Sequence, residues 1–271
     1  MNVTFIGGGN MASAMIGGLL SQGWSAGSIR VVEVAAPARE RLERDFKVTA
    51  FPAVTAAAAH ADCIVLAVKP QVLREVALAL RAHLGSQLIV TIAAGIRLAD
   101  LARWLGGYSR LVRVMPNTPA LVLAGVSALY APANVSAEER AAAESLLGSV
   151  GATVWLEREE QIDAVTAVSG SGPAYVFYFI EAVEQAAREL GLPAATAHKL
   201  ALETFSGAAR LALASADAPA TLRERVTSKG GTTERALSSM ETDRIKESIV
   251  RAVRAAATRS RELGDELGKD Q

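Results

Sequence analysis

The chain has 271 residues, enough for one large domain or two ordinary ones. Its 28 Lys and Arg balance 28 Asp and Glu, so no basic excess points to nucleic acid and no polybasic run points to a membrane surface. Hydrophobic residues make up 51% and aromatic residues only 5%, which requires an aliphatic core.

The first part alternates two kinds of segment. Val3–Ile6 reads as a short strand and Asn10–Gln22 as a helix with apolar residues at helical spacing. Ile29–Val34 is a strand, and Pro37–Phe46 a charged helix. Cys63–Val68, Leu88–Ile92 and Leu111–Met115 are continuous apolar runs bounded by breakers, which suit strands buried on both faces of a parallel sheet. Val126–Tyr130 and Thr153–Leu156 follow as later strands. This alternation predicts an α/β fold with a doubly wound sheet. Past Glu157 the strand signals stop. A helix from Pro173 to Leu190 ends at Gly191-Leu192-Pro193, another covers Ala195–Ala214, and a last one runs from Thr232 to about Leu267 with a break near Glu241–Asp243. A boundary between residues 158 and 159 therefore divides an α/β domain, 1–158, from a helical domain, 159–271.

Several residue types bound the chemistry. Cys63 is the single cysteine, so no internal disulfide forms, and its strand context reads as packing. His60, His83 and His198 lie in helix-like or loop segments without partners and lack metal-ligand spacing, so no metal is expected. Met1–Ile6 has no basic segment before its glycine turn, and the apolar helix at Ala174–Ile180 meets Glu181 and Glu184 well short of a membrane span. These features predict a soluble, cytoplasmic protein.

Gly7-Gly8-Gly9-Asn10-Met11-Ala12 fits G-x-G-x-x-A between a strand and a helix. Gly7 allows the tight turn, Gly9 lets the backbone approach a pyrophosphate, and Ala12 lets helix and strand pack closely. The amides of Asn10 and Met11 then point at phosphate from a helix N-terminus. Glu33, at the end of the second strand, is placed to accept a bond from a ribose 2′-hydroxyl, which favours NAD; Arg39 and Arg41, just beyond, are placed to meet a 2′-phosphate. Both readings stand at this point.

A second glycine turn, Val226-Thr227-Ser228-Lys229-Gly230-Gly231-Thr232-Thr233, also opens a helix. Between the two turns lie Ala67-Val68-Lys69-Pro70, Ala93-Ala94-Gly95, Met115-Pro116-Asn117-Thr118-Pro119 and Ser169-Gly170-Ser171-Gly172-Pro173. In order and spacing, over essentially the whole chain, these segments resemble the pyrroline-5-carboxylate reductases.

The resemblance implies a Rossmann-type domain followed by an all-helical dimerisation domain. It implies reduction of 1-pyrroline-5-carboxylate to L-proline with NADPH or NADH, in a homodimer that assembles into a larger ring in many members. By the same resemblance the second turn holds the substrate carboxylate through the amides of Gly231, Thr232 and Thr233, with Ser228 and Gly230 in the turn. The Thr233 hydroxyl matches the family threonine that hydrogen-bonds the ring nitrogen. The Ser169–Pro173 segment, with Ser171, either completes the substrate pocket or packs helix on helix, and Glu159 matches an acidic residue near the substrate site or is ordinary surface charge. Ala67, Val68, Lys69, Pro70, Ala93, Ala94, Gly95 and Asn117 fall at the sheet edge where the cofactor lies. Asn117 serves equally well to stabilise its proline-rich turn. Three positions depart from the family: Lys229 stands where many members have proline, Val54 where many have asparagine, and Glu33 where small polar residues often accompany NADPH. The rivals are a β-hydroxyacid dehydrogenase, which needs a lysine that the helix after Pro173 lacks until Lys199, a nucleotide-binding sensor without turnover, and a reductase of another cyclic imine.

Overall fold

In the computed structural model, which describes residues 1–269, the apolar runs become one eight-stranded sheet. The strands are β1 (Val3–Ile6), β2 (Ile29–Val32), β3 (Thr49–Phe51), β4 (Cys63–Leu66), β5 (Leu88–Thr91), β6 (Leu111–Met115), β7 (Gly125–Tyr130) and β8 (Gly151–Trp155). The helices of the same region are α1 (Asn10–Ser21), α2 (Ala36–Phe46), α3 (Ala56–Ala59), α4 (Pro70–Arg81), α5 (Leu98–Trp104), α6 (Ala137–Gly148) and α7 (Gln161–Val165). A π-helical turn, Thr166–Gly170, follows α7. The later helices are α8 (Gly172–Glu189), α9 (Ala194–Ala214), α10 (Pro219–Arg225), α11 (Thr232–Thr242) and α12 (Ile245–Leu267).

The sheet order is β3-β2-β1-β4-β5-β6-β7-β8. Alternation along each strand feeds two cores. Phe5, Val65 and Val90 point to the face covered by Met15 and Leu19 of α1, Leu42 of α2 and Leu146 of α6. Ile6, Ile64, Leu66 and Ile89 point to the opposite face, covered by Leu73 and Leu80 of α4 and by Leu101 and Trp104 of α5. Both faces are thus buried, which is why these strands read as unbroken apolar runs, and why the sheet is doubly wound. Each such fully buried side chain contributes roughly 1.5–3 kcal/mol.

All strand pairs are parallel except β6 with β7. The link between those two carries only a 3₁₀ turn, Thr118–Val122, and no crossover helix, so the chain can only return antiparallel. β8 follows through α6 and is parallel to β7 again. The Ser136–Glu139 capping box starts α6: Glu139 N donates to Ser136 Oγ at 3.2 Å, and Ser136 N donates to Glu139 Oε2 at 2.7 Å.

Two units separate by their internal packing: residues 1–171 with the segment from Ala256 onward, and Gly172–Ala255. In the first unit, the end of α12 is tied down by Ser260 Oγ donating to Asp163 Oδ1 at 2.6 Å and by Arg97 with Asp265 at 2.7 Å. In the second, α8 stops where Leu192 N reaches back to Ala187 O across Gly191, whose φ is 91°, and the chain returns as α9. His198 on α9 meets Glu184 on α8 at 2.7 Å, a correction to its expected isolation: the hairpin folds residues fourteen apart onto each other. The break expected near Glu241–Asp243 falls at Asp243 and Arg244, the latter with φ 52°. This unit buries few side chains, among them Ile180, Ala197 and Ala201. Phe177, Tyr178, Leu190, Leu211 and Leu213 are exposed, an apolar surface of the kind a partner covers. No helix among the described residues is long and apolar enough to cross a membrane.

Candidate functional site

The strand register aligns the carboxyl ends of the central strands. Ile6 pairs with both Val32 and Leu66, and Leu66 pairs with Thr91. The residues that follow, Gly7, Glu33 and Ala67, therefore share one edge. The chain winds outward from β1 through β2 to β3, then crosses to β4 on the other side of β1. That reversal opens the crevice in which doubly wound folds bind ligands, and Gly7 and Ala67 flank it.

The first glycine turn is shaped by its neighbours. Gly7 has φ 101°, and a Cβ there would lie 2.7 Å from Ala67 O. No side chain larger than hydrogen fits. At Gly9 the situation is reversed: φ is −72° and a Cβ would meet nothing within 4 Å. Gly9 is the N-cap of α1 and no side chain caps the helix, so the turn faces open space with unspent amides. Ala12 is buried against the sheet core. An uncapped helix start at a sheet switch point fits a pyrophosphate.

Glu33 is held in place by this turn. Its Oε2 accepts from Gly8 N at 3.0 Å and its Oε1 from Ala35 N at 2.9 Å. Arg39 donates to the carbonyls of Glu33 and Val34, each at 2.8 Å, and so is committed to the main chain. A cleft of about 260 Å³ lies beside them, with apolar walls from Val34, Pro52, Val54 and Val76 and carboxylates from Glu33 and Glu75. Glu75 and Val76 come from α4, which the sequence reading passed over; the apolar spacing Leu73, Ala77, Leu80 is the signal that marks it.

Along the remaining edge, Ala67 N bonds Ile6 O at 2.8 Å, Lys69 is the exposed N-cap of α4, and Pro70 is its first residue. Val68 packs on the second core. Ala93 is buried, Ala94 half-buried, and Gly95, φ 76°, lies under Leu263 and Leu267 of α12. Asn117 bridges: its Oδ1 accepts from Val126 N at 2.9 Å, and its Nδ2 donates to Ser169 O at 3.2 Å. It thereby joins the end of β6 to β7 and to the π-helical turn, where a Cβ on Gly170 would meet Met115 Cε at 2.5 Å. Such turns concentrate at functional sites. Ser171 closes the turn, its amide on Thr166 O at 2.8 Å. Glu159 faces inward: Oε1 accepts from Leu98 N at 2.7 Å and from Arg113 at 2.9 Å.

In the second unit, Gly231 is the N-cap of α11, again with no side-chain cap. Gly230 has φ 73° and its amide donates to Glu234 Oε2 at 2.6 Å. The Gly231 amide, expected among the carboxylate donors, donates to Ser228 O at 3.0 Å to close the turn. The donors left are the first amides of the helix, Thr232 and Thr233, with both side chains exposed. Ser228 is exposed beside them.

A family model described as pyrroline-5-carboxylate reductase dimerisation matches residues 159–263, and one described as NADP oxidoreductase, coenzyme F420-dependent, matches residues 2–95. A pyrroline-5-carboxylate reductase of Pseudomonas aeruginosa is 48% identical over 98% of both chains. A solved structure of a pyrroline-5-carboxylate reductase from Coxiella burnetii superimposes with a TM-score of 0.92 at 39% identity, over 97% of this chain and 98% of that one. The structure of a Plasmodium falciparum pyrroline carboxylate reductase with NADP bound does so with a TM-score of 0.86 at 28% identity, over 97% and 98%. With relatives matched end to end at up to 48% identity, the chain belongs to the pyrroline-5-carboxylate reductase family.

Proposed function

We propose that the chain reduces 1-pyrroline-5-carboxylate to L-proline, with hydride from NADPH or NADH. The observation that carries this reading is the pair of uncapped helix starts, α1 behind Gly9 and α11 behind Gly231, in a chain of this family. One suits a pyrophosphate and the other a small carboxylate, and together they suit a dinucleotide and a cyclic imino acid.

The residues divide accordingly. Gly7, Gly9, Asn10, Met11 and Ala12 hold the pyrophosphate, and Glu33 the adenosine ribose. Ala67, Val68, Lys69, Pro70, Ala93, Ala94, Gly95 and Asn117 line the edge that leads to the nicotinamide. The bound cofactor supplies a hydride to the imine carbon. Thr232 and Thr233 offer amides to the substrate carboxylate within the turn set by Ser228, Gly230 and Gly231, and the Thr233 hydroxyl orients the ring nitrogen, which carries the proton. Ser171 and Glu159 serve the substrate in this reading, Glu159 while also fixing Arg113 and the start of α5. With no strong acid required, the rate comes from positioning donor and acceptor.

The functional domains are 1–158 for the cofactor and 159–271 for substrate binding and dimerisation. A second copy of this chain covers the exposed apolar helix faces, giving a homodimer that can build a ring, and the protein acts in the cytoplasm. The test is loss of reduced-nicotinamide absorbance on adding 1-pyrroline-5-carboxylate. Substrate-dependent oxidation supports the reading; none from a folded protein that binds the cofactor refutes it.

A further inference from the structure

The NADP-naming matches leave the choice between the two dinucleotides to this chain's own residues, and the cleft beside the first glycine turn answers it. The discriminating atom set is small. Glu33 Oε2 sits 3.0 Å from Gly8 N, and Oε1 sits 2.9 Å from Ala35 N, so the carboxylate is pinned at the end of β2 by two main-chain amides. A carboxylate there accepts from a ribose 2′-hydroxyl, and its charge opposes a 2′-phosphate. The second carboxylate on the cleft wall, Glu75, adds to that opposition, and no Lys or Arg among the described residues lines the cleft. Arg39, the first cation after Glu33 along the chain, is engaged by the carbonyls of Glu33 and Val34 at 2.8 Å. Arg41 is exposed on α2 and outside the cleft lining. Val34, Pro52, Val54 and Val76 give the cleft apolar walls on which an adenine can stack, with no polar side chain among them to hold a phosphate.

We infer that Glu33 makes this chain select NADH over NADPH, by accepting the adenosine 2′-hydroxyl and repelling a 2′-phosphate. The inference rests on the reductase reading above, and it adds the identity of the hydride donor.

Equilibrium titration separates the two. NADH, NADPH, ADP-ribose and 2′-phospho-ADP-ribose are titrated into the full chain and followed by calorimetry, with no turnover involved. NADH binds about tenfold or more tightly than NADPH, and ADP-ribose leads its phosphorylated form by a similar ratio, because like charges are opposed at close range. Glu33→Gln keeps the shape and removes the charge; Glu33→Ser also removes the reach. Both narrow the ratio, mainly because NADPH binds more tightly. NADPH binding equal to or tighter than NADH in the unaltered chain overturns the inference and leaves the reductase reading intact. An unmoved ratio in folded Glu33→Gln and Glu33→Ser overturns Glu33 as its source. Binding of neither dinucleotide overturns the reductase reading and this inference with it.

Discussion

Glu159 and Arg113 form a shielded ion pair at 2.9 Å, with side-chain exposures of 20% and 5%, and the same Glu159 oxygen takes the amide of Leu98. One carboxylate thus anchors the segment after β8 to β6 and to the start of α5. Removing it leaves the Arg113 charge buried and unpaired. Glu159→Ala is expected to cost roughly 3–5 kcal/mol of stability, read by denaturant unfolding. An unchanged unfolding midpoint with lost turnover would instead assign Glu159 to the substrate.

The two glycines of the first turn separate folding from binding. Gly7→Ala forces a side chain onto φ 101° and against Ala67 O, and should lower stability by roughly 1–3 kcal/mol as well as weaken dinucleotide binding. Gly9→Ala has an ordinary φ and meets nothing within 4 Å. It should hold its melting temperature while binding NADH at least tenfold more weakly, about 1.4 kcal/mol, because its methyl enters the space above the α1 amides. Melting curves and a fluorescence titration check both; normal NADH binding by Gly9→Ala would place the pyrophosphate elsewhere.

Thr233 is exposed at the start of α11, so its removal leaves no hole. Thr233→Ala should lower turnover roughly tenfold to a hundredfold, the worth of one hydrogen bond to a charged group, with cofactor affinity unchanged. Steady-state kinetics beside a cofactor titration decide it. A parallel loss of NADH binding counts against the assigned role.

Acid should act in part through Glu139. Burial works to raise its pKa, but the Ser136 amide and the Arg110 guanidinium outweigh that and hold the carboxyl below its ordinary value. A depressed folded pKa gives stability that is present above the unfolded carboxylate value and lost as pH falls through the folded one. Glu139→Gln should therefore cost about 1 kcal/mol near neutrality, and the gap to the unaltered chain should close in acid. Urea unfolding at the two pH values measures it; a constant gap means that charge contributes nothing.

The sole cysteine gives a folding probe. Cys63 is fully inside β4, and burial, with Asp62 adding to it, pushes its thiol far above the usual range. Thiol reagents should leave the native chain unlabelled and modify it only in denaturant, as a colorimetric thiol assay would show.

Much of this was legible in the residues, for identifiable reasons. The central strands are buried on both faces, so Cys63–Leu66 and Leu111–Met115 stand out as unbroken apolar runs. β3 did not, because Thr49–Phe51 is a three-residue edge strand with an exposed end. α10 did not, because it buries no side chain. The antiparallel turn of β7 depends on the short link after Asn117, a matter of connection rather than periodicity. At the site, the glycine pattern announced an anion-binding turn. The committed amide of Gly231 and the pinning of Glu33 by Gly8 and Ala35 are tertiary facts that no spacing carries.

The most direct test of the central claim follows the hydride itself. Reduced nicotinamide dinucleotide carrying deuterium at the transferring position is incubated with the protein and 1-pyrroline-5-carboxylate, and the product is examined by NMR and mass spectrometry. The account predicts L-proline with one deuterium on the ring carbon that was the imine carbon, formed in step with cofactor oxidation. Proline without deuterium, or cofactor oxidised with no proline formed, would contradict it.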